Sequence, residues 1–163
     1  PATKSKTKGC QLFVAFVGNE KLFRFGFALD NDYFQYVSNL KSAIGASAVS
    51  LIDYVKKCPA GTLFRIDPVE GMPGKSAREF VDSLSDGSLN WETSIDIVQA
   101  FPLDELPERS QSLVEDGGTF FQWVWPFFQA ARTGKWPEQG IVDPIKNTDD
   151  ATNGYIVDVR AFV

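Results

Sequence analysis

Histidine is absent from the 163 residues. With it go the usual general base near neutral pH, the Ser-His and Cys-His nucleophile pairs, and every histidine metal site. Most hydrolase chemistry is thereby excluded. The two cysteines, Cys10 and Cys58, are too few for a thiolate zinc site or a secreted disulfide framework. Cys58 ends an apolar helical stripe before Pro59 and Cys10 opens a strand, so both read as small, reduced core residues. No cofactor and no metal are expected.

Long apolar runs are missing too. The longest aromatic stretch, Phe120 to Phe128, is broken by Gln122 and Pro126 and falls well short of the ~20 residues of a membrane helix. Residues 1–9 hold no hydrophobic segment of the kind a secretion signal needs, and the expected location is cytoplasmic. Those nine residues carry Lys4, Lys6 and Lys8 without an acid, so a net charge of −5 leaves −8 on the rest. An acidic body repels phosphate backbones, which argues against duplex nucleic acid as a partner. The reading is a flexible basic tail over 1–9 and one globular domain over 10–163, since 163 residues suit a single core.

What is present is a strong pattern of short elements. Cys10–Val17 and Lys21–Leu29 flank the turn Gly18-Asn19-Glu20 and predict an antiparallel hairpin. Phe23, Phe25 and Phe27 alternate with Arg24 and Gly26, so the phenylalanines mark the core face. Tyr33, Val37, Leu40 and Ile44 draw one helical stripe, and Val49, Ile52 and Val55 a second that stops at Pro59. Thr62–Asp67 reads as a strand closed by Pro68. Ser76-Ala77-Arg78-Glu79 has capping-box spacing ahead of a helix ending near Asp86-Gly87. Trp91 to Phe101 holds a fourth strand, clearest over Ser94–Val98 and closed by Pro102. A short helix is expected from about Pro107 and another over Thr119–Thr133, with Pro126 either kinking it or beginning a shorter one. Lys135–Asn153 reads as an excursion, and Tyr155–Phe162 as a last strand. The order predicts an α+β fold: about five strands in a mainly antiparallel or mixed sheet, with four or five helices mainly on one face.

Three constellations carry functional expectations. The run Val69-Glu70-Gly71-Met72-Pro73-Gly74-Lys75-Ser76 ends as a phosphate-binding loop does. However, Val69 stands where that loop needs glycine, and Pro73 removes an amide. Arg24, Arg65, Asp96, Asp158 and Arg160 fall mid-strand, where alternation can set them on one sheet face. There they would bind an anion, or the aspartates a divalent cation, in a metal- or phosphate-dependent enzyme. The simpler reading is a solvated face with cross-strand ion pairs. Finally, Phe120, Phe121, Trp123, Trp125, Phe127, Phe128 and Trp136 crowd one segment. On the stripe of Phe121, Val124, Trp125 and Phe128 as core, Trp123, Phe127 and Trp136 are left to form a partner-binding aromatic surface. The preferred expectation is therefore a small non-catalytic binding or accessory protein, contacting another protein or itself. The enzyme is the alternative, and a structural subunit of a larger particle a weaker one.

Overall fold

The computed structural model describes residues 9–30, 34–46, 48–66, 74–89, 94–137 and 158–162. Its elements run β1 (Cys10–Val17), β2 (Leu22–Leu29), α1 (Phe34–Ala46), α2 (Ala48–Val55), β3 (Leu63–Ile66), α3 (Ala77–Ser85), β4 (Ile95–Pro102), a 3-10 turn (Leu103–Glu105), α4 (Leu106–Thr133) and β5 (Asp158–Phe162). The fold is α+β. Four strands in the order β3-β4-β2-β1 pair antiparallel, and β5 adds to β1 in parallel.

Strand directions follow from those pairings. Because β1 and β4 each run antiparallel to β2, β4 and β5 run the same way. Parallel strands need a long return, and α4 lies within the connection that supplies it, so β4, α4 and β5 make a split β-α-β unit around the N-terminal hairpin. The hairpin turn closes with Lys21 N–H donating to the Gly18 carbonyl at 3.2 Å. Lys21 takes φ 52°, which makes it the last turn residue and delays β2 to Leu22.

Register assigns the two sheet faces. One carries Cys10, Leu12, Val14 and Phe16 of β1, Phe23, Phe25, Phe27 and Leu29 of β2, Ile95, Ile97 and Gln99 of β4, and Phe64 of β3. The core lies over this face. The Phe64 ring stacks on Phe80 of α3 at 4.2 Å, and Phe25 meets Phe120 and Phe121 of α4 at 5.3 and 5.7 Å. α1 and α2 pack in turn against α4 and α3. On the other face, Gly26 is required: a Cβ there would stand 2.5 Å from the Ile97 carbonyl oxygen and 3.1 Å from the Phe13 ring.

Helix ends are satisfied as their residues suggest. Ser76 and Glu79 form the capping box in both directions at the start of α3. Gly134 closes α4 with φ 73°, and Asn39 of α1 donates to the Ala131 and Arg132 carbonyls at 3.0 and 3.2 Å, taking up acceptors the helix leaves open.

The largest departure from expectation is α4 itself. In place of two helices there is one of 28 residues, with Pro126 inside it. An interior proline costs about 3 kcal/mol, and burial of both apolar flanks, including Pro126, offsets that cost. Residues 155–157 of the expected last strand and the tail through residue 8 lie outside the described residues.

Candidate functional site

The Gly74-Lys75-Ser76 run does not form a phosphate cradle. Lys75 exchanges both backbone hydrogen bonds with Phe64 at 2.8 Å, which makes it a bridge on the outer edge of β3, and Ser76 is committed to its cap. Lys75 Nζ donates to Ser83 Oγ at 2.6 Å, and the Ser83 hydroxyl donates to the Glu79 carbonyl at 2.9 Å. Ser83 is buried, so this pair clamps the bridge to α3 and leaves no accessible nucleophile. Residues 69–73 of the motif lie outside the described residues.

The charged residues of the central strands do converge. Arg65 of β3 and Asp96 of β4 are direct cross-strand partners with Nη1 and Oδ2 3.7 Å apart. Arg24 of β2 projects from the same face and pairs with Glu20 at the hairpin turn. Loss of water pushes the Asp96 carboxyl up to about 6, while Arg65 and Arg24 pull it down and Asp30 raises it further. The Arg65 contact is longer than a charge-assisted hydrogen bond of roughly 2.8 Å, and attraction across it does not restore what hydration supplied.

Asp158 and Arg160 take register positions of this same face, but on β5, at the far side of the sheet from β4. Register sets Asp158 beside Phe13 and Arg160 beside Ala15. From β5 to β4 is three strand spacings, about 14 Å, so Asp158 and Asp96 cannot share one metal ion. Among the described residues no group of three His, Cys, Asp or Glu side chains is disposed to hold a metal. Cys10 and Cys58 are both free thiols. Burial pushes Cys10 up to about 12, with Arg132 pulling it down, and burial raises Cys58 as well. Neither is an activated nucleophile.

The aromatic segment requires a correction. Trp123 is 7% exposed and Phe127 1%, both inside the core, so they form no exposed surface. Trp123 stacks on Tyr54 of α2 at 5.7 Å, and the two exchange hydrogen bonds: Tyr54 O–H to the Trp123 carbonyl at 2.6 Å, and Trp123 Nε1–H to the Tyr54 carbonyl at 3.4 Å. Trp136 is half-buried, edge-on to Tyr54 at 5.5 Å and to Phe127 at 5.1 Å. The loop after α4 thus returns Trp136 onto the core.

What α4 offers outward is a second seam. Leu113, Gly117, Phe120, Val124, Phe127 and Ala131 face the core at alternating spacings of four and three. Val114, Gly118, Phe121, Trp125, Phe128 and Arg132 repeat that spacing one residue on, about 100° round the helix. In this outer row Val114 is 78% exposed, Gly118 and Arg132 are exposed, and the three aromatic residues are half-buried. Arg132 lies over the Phe128 ring at 5.5 Å, and Trp125 packs on Phe128 at 5.2 Å. Ring contacts lead from Phe121 through Phe25 and Phe23 to Phe16, 38% exposed on β1. No residue of β1 is buried, in contrast to β2. Phe25 in that chain of rings is buried, so the outer seam and Phe16 are joined through the core.

Among the described residues no helix is long and apolar enough to cross a membrane. Comparison with protein-family models, with curated proteins and with solved structures returns no match.

Proposed function

We propose that this is a non-catalytic interaction protein, engaging another protein through the outer seam of α4. The observation that carries the reading is this outer row, in which exposed Val114 is followed by the half-buried rings of Phe121, Trp125 and Phe128 and by exposed Arg132. A contiguous aromatic surface of this kind marks an interaction site more often than a solvated one. Spacing of four and three suits an amphipathic helix laid alongside, with its own apolar residues at the same interval. The enzyme alternative has less support: Asp96 is engaged by Arg65, and Asp158 stands about 14 Å away.

Native mass spectrometry on the chain purified gently from its source, beside a Val114→Asp variant, tests the reading. The expected result is a retained protein partner that the variant loses while keeping the same thermal melt. Equal retention by both proteins would show that the seam is not the contact.

A further inference from the structure

We propose that the helix received by the outer seam is α4 of a second copy of this chain, packed antiparallel about a two-fold axis beside residue 123. The inference rests on the seam being an interaction surface and names its occupant.

The side chains of the row are complementary to themselves in that arrangement. With residue 123 at the axis, Val114 faces Arg132 of the second copy, Gly118 faces Phe128, and Phe121 faces Trp125. The largest size step in the row, from Gly118 to Phe128, is thus matched across the interface. A Cβ built at Gly118 meets nothing within 4 Å, so the groove that would take the Phe128 ring is open in the single chain. Parallel packing in register would instead set Phe128 against Phe128, Arg132 against Arg132, and two empty glycine positions together.

Charge along α4 points the same way. Its first half carries Glu108, Glu115 and Asp116, with Arg109 bound to Glu105, whereas Arg132 and Lys135 lie at its end. Antiparallel packing brings Glu115 beside Arg132 of the second copy and opposes the two helix dipoles. Exposed Val114 is then covered by the aliphatic stem of that arginine, which keeps its guanidinium at the rim.

Sedimentation equilibrium on the purified full chain reads this out directly. The expected result is a reversible dimer whose dissociation constant rises more than about tenfold in Gly118→Glu, which buries a carboxylate against Phe128. Glu115→Arg and Arg132→Glu should each weaken the dimer by about threefold, and the double variant should recover most of that loss. A chain monomeric at every concentration overturns self-pairing. If that monomer still holds a different protein that Val114→Asp releases, the interaction surface stands and only its occupant is wrong. A dimer indifferent to Gly118→Glu overturns the pairing, and one whose partner retention also ignores Val114→Asp overturns the surface as well.

Discussion

Trp123 shows why the aromatic segment is hard to read without its surroundings. The rows beginning at Leu113 and at Val114 have identical spacing and are both rich in apolar residues, so helical periodicity cannot choose which meets the sheet. The choice is made by Phe25 and Phe64, which meet the Phe120–Trp123 side, and by Tyr54, whose reciprocal hydrogen bonds hold the indole. Chain periodicity contains none of those long-range partners. By contrast, convergence of Arg24, Arg65 and Asp96 was legible, because strand alternation alone settles the face. Truncating Trp123 to alanine removes a core ring and the indole hydrogen bond to the Tyr54 carbonyl, and unfolding free energy should fall by about 3–5 kcal/mol in urea titrations. Phe128→Ala, on the half-exposed row, should cost about 1–2 kcal/mol in the dilute chain. Equal losses would mean that the two rows are not buried as described.

Short elements with local signals came through with their positions nearly unchanged, and α4 did not. The hairpin depends on a turn among Gly18, Asn19 and Glu20, and α3 on Ser76 and Glu79, all contiguous in the chain. α4 joins an expected short helix to a longer one across Gly117-Gly118, with Pro126 further along, because packing against the sheet outweighs local preferences. Elements specified locally should therefore respond to local changes. Ser76→Ala removes the cap acceptor for the Glu79 amide and should cost about 1 kcal/mol. Gly26→Ala tests the opposite case, since the new methyl meets the Ile97 carbonyl oxygen and has no flexible group to displace. It should cost about 2–3 kcal/mol. A smaller loss for Gly26→Ala than for Ser76→Ala would mean that the ladder between β2 and β4 yields more easily than its geometry implies.

The sheet as a whole keeps its helices on one face and its ion pairs on the other, and this asymmetry sets how the molecule responds to pH. Asp96 lies in β4, between β3 and β2, and gives up much of its hydration for a loose contact with Arg65. Its carboxyl titrates near 6 in the folded chain and near 3.8 unfolded, so between those values the folded state binds the extra proton. The resulting stabilisation is fully present below about pH 4 and is lost as pH rises through about 6. The loss amounts to about 2–3 kcal/mol at most. Glu79 and Asp86 act oppositely: hydrogen bonds with Ser76 and Ser88 hold both carboxyls low, and their contribution disappears only in stronger acid. The unfolding free energy should therefore peak near about pH 5 and decline towards 7, which urea titrations across that interval will measure. Asp96→Asn cannot titrate and should flatten the decline while leaving the acid limb in place. A wild-type profile that instead rises from pH 5 to 7 would mean that Arg65 and Arg24 hold the Asp96 charge more tightly than burial opposes it.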